Sequence, residues 1–530
     1  MKEVTGRKWW VLVAVCLAVF MGMLDITIVN VALPEIQKSF ATSFSTLQWV
    51  LNAYTLVYAM MLLPVSKLGD RFGKKQVFLI GVVIFMLGSL LSGLATNDTW
   101  LNIARGFQGI GGAAMMSLSL SIVTLAFPET QRGLALGIWS SVTGLAVSIG
   151  PLIGGALVDS LGWRAIFLIN LPVAILTLIM GVVFIEKGHA DADEHLDWLG
   201  MLFSILMVFG LILALIQKEM HMSYAWTDWR ILSLFGLALV SLIAFIAVER
   251  HGQQPMIRLS IFRSAPFVGA NIAAFTLGAG IYGGFTYLSI LMQNYMNYSA
   301  FQTGLKLLWI SVFTLVLGPL TGFLTNKIGS RWLISAALVF GTAGILTIDH
   351  QMQVPFAWSD LFLGFILLGI SNALVNPPIS TTAMGAVAKA DVGMASGVLN
   401  VFRQVGISFG VVILGIAASN GYTAKLDGGL AKLATLPPVL QNPLPAAKGQ
   451  LVDALHQAGA FAGEQIFASP QTKGFRGTQL FEDLHSLVFH AFENGFARAC
   501  LVIAGLLAVG AVSAMVLIKP KAKEGEDHAH

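Results

Sequence analysis

Long apolar runs dominate this chain, each ended by a short cluster of Pro, Gly or charged residues such as Gly69-Asp70-Arg71 or Asn97-Asp98. The runs lie near 9–33, 47–67, 76–96, 101–124, 134–158, 164–185, 197–217, 230–248, 266–290, 303–325, 332–349, 358–378, 394–418 and 491–518. A helix needs roughly 20 apolar residues to cross the hydrocarbon of a bilayer. The pattern therefore predicts fourteen transmembrane helices and an all-α polytopic membrane protein. An even number of spans puts both termini on one side.

Composition sharpens this. Of 530 residues, 56% are hydrophobic and 11% are charged, and mean hydropathy is +0.78. A soluble domain carries about 25% charged residues, so soluble enzymes, nucleic-acid binders and disordered chains are excluded as whole-chain readings. A net charge of +4 is too mild to argue for nucleic acid. The placement of charge says more. With a cytoplasmic N-terminus, the inner segments hold most Lys and Arg, among them Arg71, Lys74, Lys75 and Arg132, whereas the short outer loops hold Lys38, Lys218, Arg230 and Lys306. The positive-inside rule then sets both termini in the cytoplasm. Cys16 and Cys500 sit in apolar runs and read as small buried hydrophobes. The first run contains Asp25 and lacks a small-residue cleavage site, so it reads as a retained helix and not a signal peptide.

The chain repeats itself. Ser66-x3-Asp70-Arg71-x-Gly73-Lys74-Lys75 returns as Gly322-x3-Asn326-Lys327-x-Gly329-Ser330-Arg331, at an offset of 256. Arg105-Gly106-Phe107 aligns with Leu363-Gly364-Phe365, and Arg132-Gly133-x3-Gly137 with Val392-Gly393-x3-Gly397. The glycines recur but Asp70, Arg105 and Arg132 do not. Two parallel six-helix bundles are expected, 1–186 and 266–518, with helices 7 and 8 inserted in 187–265 and a cytoplasmic tail at 519–530. Parallel halves around a midplane site are a common build of secondary transporters.

Four motifs carry a resemblance. They are Leu24-Asp25-x4-Asn30-Val31-Ala32-Leu33-Pro34 in helix 1, Gly69-Asp70-Arg71-Phe72-Gly73-Lys74-Lys75 after helix 2, Arg105-Gly106-x-Gln108-Gly109-x-Gly111 in helix 4, and Gly144-x5-Gly150-Pro151-x2-Gly154-Gly155 in helix 5. In this order they resemble the major facilitator superfamily, in its fourteen-helix drug:proton antiporter branch. Ser66 stands where the loop motif usually begins with Gly. The resemblance implies the major facilitator fold and a proton-coupled exporter of amphipathic compounds.

Individual residues support that reading in different degrees. Asp25 is the single Asp or Glu near the centre of any predicted span. A carboxylate there is costly to keep charged, which suits it to take up and release a proton; the alternative is a structural carboxyl tied to polar neighbours. Arg105 must face protein or water, and Gln108 lies one turn away on the same face; the resemblance gives Arg105 a part in proton release. Asp70, Arg71, Gly73, Lys74 and Arg132 form a cytoplasmic cluster, either a topology anchor or a latch in which Asp70 pairs with Arg132 or a helix N-terminus in one conformation. Gly150, Pro151, Gly154 and Gly155 let helices touch closely and are expected to meet the second half. Arg403, in Asn400-x2-Arg403-Gln404, is placed to contact an anionic group of substrate or to offset Asp25 across a cavity. Asn30, Asn52, Tyr54, Asn271, Asn372 and Asn376 are candidates for the cavity wall.

Other signals are set aside. Gly278-x-Gly280-x2-Gly283 has the spacing of a dinucleotide fingerprint but lies in an apolar helix with no strand before it, so helix packing is expected. The His-containing stretches 189–195 and 526–530 lack convergent ligands, and no metal is expected. The segment 419–490 is more polar, with Pro437-Pro438, Pro443 and Pro445, and the spacing of Leu451-Val452-x2-Leu455 and Leu480-Phe481-x2-Leu484-x2-Leu487 predicts two short helices in an outer hairpin.

The expected protein is a secondary active antiporter of the bacterial inner membrane, driven by the proton gradient without a cofactor, whose partners are a small amphipathic substrate, protons and the bilayer. The alternatives are a narrow-specificity transporter of a lipid, peptide or metabolite in the same fold and, remotely, a membrane enzyme acting on lipid. An envelope adaptor is left open by the sequence.

Overall fold

The structure, a computed structural model, describes residues 3–40, 42, 44–187, 196–221, 224–252, 255–352, 357–434, 455, 460, 467 and 479–518. Among the described residues, fourteen helices are long and apolar enough to cross a membrane. They are α1 (Glu3–Phe40), α2 (Phe44–Phe72), α3 (Lys74–Gly93), α4 (Asp98–Ala126), α5 (Glu129–Leu161), α6 (Ala165–Phe184), α7 (Trp198–Met220), α8 (Trp229–His251), α9 (Ala265–Tyr295), α10 (Ala300–Ile328), α11 (Ser330–Gln351), α12 (Trp358–Gly385), α13 (Val392–Ala434) and α14 (Gln479–Leu517). Each expected span falls on one of them. Most of the helices overrun the apolar runs, because helix ends that leave the lipid still bond within themselves.

The elements sort into two groups. In the first, α1 packs on α5 and α6, and α4 on α2 and α3. In the second, α11 packs on α12 and α14, and α13 on α9 and α14. The groups meet through α5 against α10 and α12, and through α13 against α2 and α4. The pair α7–α8 lies outside this plan, with α7 resting on both α2 and α13. Exposed Leu176, Ile179, Val182 and Val183 give α6 an apolar outer face, as lipid contact requires.

Small residues set the close crossings. At one end of the α5–α10 contact, a Cβ on Gly133 would fall on the carbonyl oxygen of Gly322, and one on Gly137 would meet that of Gly318. Further out, Ser141 Oγ donates to Thr314 O at 2.9 Å, and Ser311 Oγ bonds Ser148 Oγ. The Gly278–Gly283 motif does pack helices: Gly278 lies against Arg403 O and Ile407, Gly283 against Gly410, and Gly280 against Leu507. This part of α9 is wound as a π-helix over Gly278–Tyr282.

The outer segment departs from expectation at both ends. Helix α13 continues past 418 to Ala434, and Leu480, Phe481, Leu484 and Leu487 form the first turns of α14 rather than a separate short helix. The two extensions hold each other through Gly421 against Gly495 and Gly429 against Leu487, burying Leu426, Leu484 and Val488. Helix pairing thus carries both past the apolar slab. The Pro cluster, Leu451 and Val452, the stretch 189–195 and the tail 519–530 lie outside the described residues.

Candidate functional site

Asp25 lies near the middle of α1, about 28 Å of helix from Gly6 at ~1.5 Å per residue. It is fully buried, and both carboxylate oxygens are bonded. Arg105 Nη1 donates to Oδ2 at 2.5 Å. Gln108 Nε2 and Asn170 Nδ2 donate to Oδ1 at 2.9 and 3.0 Å. Arg105 also donates to Gln108 Oε1 at 2.8 Å and, through Nε, to Val50 O at 3.2 Å. Behind Asn170, Ser89 Oγ accepts at 2.9 Å and itself donates to Phe167 O at 2.8 Å. The Arg105 guanidinium lies 4.4 Å from the centre of the Tyr54 ring. One carboxylate is therefore read by side chains from α4 and α6, with α2 and α3 supplying the next layer.

Glycines bring those elements close enough. A Cβ on Gly88 of α3 would strike the Gln108 backbone, and Gly111 of α4 faces the Phe85 backbone. Gly109, in the same Arg105 motif, and Gly112, just after it, abut the Tyr54 carbonyl and phenol. The motif thus does two things: it carries Arg105 and Gln108, and it removes the side chains that would hold α2 and α3 away. Asn170 and Ser89 were missed by the sequence reading, since a lone Asn or Ser in an apolar run shows nothing of its partner.

A second polar group lies in the other bundle. Tyr282, in the π-wound part of α9, donates to Asn372 Oδ1 at 3.2 Å and accepts from Asn376 Nδ2 at 2.8 Å. Asn372 Nδ2 donates to Thr314 Oγ1 at 3.1 Å. Arg403 is buried in α13 and donates from Nη1 to Asn400 Oδ1 at 3.3 Å. The structure brings Asn372 and Asn376 together and adds Tyr282 and Thr314. The other wall candidates are dispersed. Asn30 is exposed and bonds Ile26 O of its own helix. Asn52 donates to Met220 Sδ of α7. Asn271 donates to Phe267 O. Tyr54 is fully buried under Arg105.

The cluster expected on the cytoplasmic side forms a crossing between the two groups. Asp70 is paired with Lys74, and its carboxylate lies against Gly393 at the start of α13. That is the helix N-terminus, where a negative charge is favoured. Ser66 Oγ bonds Gly393 O, and Gly397 packs on Ser66 and the Leu62 carbonyl. Arg132 is elsewhere, donating from Nε to Thr124 O at 3.1 Å, so the Asp70–Arg132 pair is not made. Arg71 lies beside the Phe72 ring, and Gly73 takes a φ of 95° in the turn into α3. The helix 5 motif divides between two neighbours. Gly150 and Gly154 face Thr27, Ile28 and Val31 of α1, in the same bundle, whereas Pro151 and Gly155 face Gly304 and Phe301 of α10. Successive small residues on a helix point different ways, so one motif serves two contacts. Among the described residues, no group of three or more His, Cys, Asp or Glu is gathered to hold a metal.

Comparison with known proteins places this architecture. Multidrug resistance protein Stp of Mycobacterium tuberculosis (strain CDC 1551 / Oshkosh) is 35% identical over 422 residues, covering 79% of this chain and 78% of that protein. Multidrug transporter protein MdtP of Bacillus subtilis (strain 168) is 31% identical over 540 residues, covering 98% and 95%. Among solved structures, the proton:xylose symporter XylE aligns with a TM-score of 0.59 at 14% identity, covering 97% of each chain, a likeness of fold. The family model described as Major Facilitator Superfamily matches residues 15–411. This fourteen-span membrane protein belongs to the major facilitator superfamily.

Proposed function

We propose that the chain is a proton-coupled exporter of small amphipathic compounds, working by alternating access in the bacterial inner membrane with both termini in the cytoplasm. The moving bodies are 1–186 and 266–518, and 187–265 flanks the seam between them. The carrying observation is the buried Asp25–Arg105 pair with Gln108 and Asn170. In a low-dielectric interior such a pair is stable only while both charges persist. Protonation of Asp25 removes the anion that holds Arg105 and frees Gln108 and Asn170 to re-pair. Because the ligands come from different helices, that local change reorders the packing of the whole first bundle.

The inner crossings supply the second part. Asp70 at the start of α13 and the glycine contacts of α5 with α10 hold the cytoplasmic ends together. Opening inward means parting both. The names of the relatives Stp and MdtP support drug export, and the low-identity fold match adds nothing on substrate. The energetics suffice: a potential of 100 mV is worth about 2.3 kcal/mol per charge, and one pH unit about 1.4 kcal/mol. One proton exchanged per neutral substrate then sustains more than tenfold accumulation.

The test is transport by the purified full chain in proteoliposomes, with an amphipathic dye as probe. An imposed pH gradient is expected to drive dye against its concentration gradient, and collapsing the gradient with a protonophore to abolish this. Dye accumulation that ignores the pH gradient would overturn the proposal.

A further inference from the structure

Arg403 is a buried charge in a span with no charged partner among the described residues. Asp25 is neutralised by Arg105, and Glu249 accepts from Ile257 N at 2.9 Å. Arg403 is 7% exposed and makes one hydrogen bond, to Asn400. Its Nε and Nη2 have no partner among the described residues, and no carboxylate there forms a salt bridge with it. A guanidinium cannot shed its proton to escape this. It is a permanent buried cation with two unfilled donor nitrogens.

Its surroundings suit a ligand. Arg403 belongs to α13 in the second bundle, two turns along the same helix face from Ser396, whose Oγ donates to Ser117 O of α4 in the first. It therefore lies at the seam between the bundles, where the proposed exporter would carry its cargo. Tyr282, one turn along α9 from Gly278, bonds Asn372 and Asn376. The α9 backbone comes close because Gly278 lies directly on Arg403 O. A planar fork with adjacent free N–H groups matches a carboxylate in a two-point bond.

We propose that Arg403 is an anion-binding residue between the two bundles, and that the compounds carried include amphipathic anions, chiefly carboxylates, whose charged end meets the Nε–Nη2 edge of Arg403. This deepens the export reading and rests on it for the word carried; the binding site itself does not depend on proton coupling.

The experiment titrates the full chain in lipid nanodiscs with three probes sharing one ring system: pyrenebutyrate, its methyl ester and pyrenebutylamine. Energy transfer from tryptophan to pyrene reads binding, with empty nanodiscs subtracted. Wild type is expected to bind the acid at least fivefold more tightly than the ester or the amine. Arg403→Gln is expected to weaken the acid tenfold or more while changing the ester by less than twofold, and Arg403→Lys to recover part of the loss. Equal binding of acid and ester by wild type would overturn the proposal without any variant. So would an Arg403→Gln variant that loses both probes alike, the mark of a structural tie, or one that binds the acid unchanged. No pH gradient is applied, so charge-selective binding can stand even where gradient-driven transport fails.

Discussion

Arg105 keeps its charge at any pH the cell meets, so the state of its buried pair is set by Asp25 alone. Removing one member of such a pair leaves the other uncompensated, at a cost of about 3–5 kcal/mol. Arg105→Gln is therefore expected to lower thermal stability sharply, and Asp25→Asn added to Arg105→Gln to restore much of it. The non-additivity expected is about 0.5–3 kcal/mol, read from melting of the purified variants in one detergent. Additive losses would mean that the two side chains do not depend on each other. Asp25, Arg105 and Gln108 were legible in the sequence because charged or amide groups in an apolar run advertise their cost. Asn170 and Ser89 were not, since their role comes from α3 and α6 being brought against α1 in space.

At the scale of elements, the repeat acquires a physical meaning. Gly133 and Gly137 of α5 lie on α10, and their counterparts Gly393 and Gly397 of α13 lie on α2. The partner positions correspond too: Gly322 of α10 matches Ser66 of α2. The two inner crossings are thus copies of one contact, one of them carrying Asp70 and the other Asn326, whose Nδ2 donates to Thr130 O at 3.4 Å. A larger residue at Gly133 or Gly397 would push its crossing apart. Gly133→Val is expected to cost about 1–3 kcal/mol by overpacking and to cut dye transport at least tenfold in the liposome assay. Gly236→Val, where an added Cβ meets nothing within 4 Å, serves as the control and should leave transport unchanged. Retained transport in Gly133→Val would show that the crossing need not close. Span number was readable from hydropathy alone. The ends were not, because α13 and α14 extend by pairing with each other, which composition does not encode.

On the scale of the whole molecule, two six-helix groups share their glycine contacts but not their charges. The first holds Asp25, Arg105 and Asp70; at the equivalent seam the second offers Arg403 with amides and phenols. The proposed proton chemistry in one half and ligand binding in the other form a division that duplication followed by divergence allows. The inserted α7 rests on both α2 and α13, the helices of one inner crossing, so it borders the seam that parts in the proposed mechanism. The central claim is that protonation of Asp25 powers this motion. Its most direct test compares wild type with Asp25→Asn in proteoliposomes, measuring both uphill dye accumulation under a pH gradient and dye exchange at equal pH. The account predicts that Asp25→Asn loses the accumulation and keeps the exchange. Accumulation at the wild-type level in Asp25→Asn would contradict it.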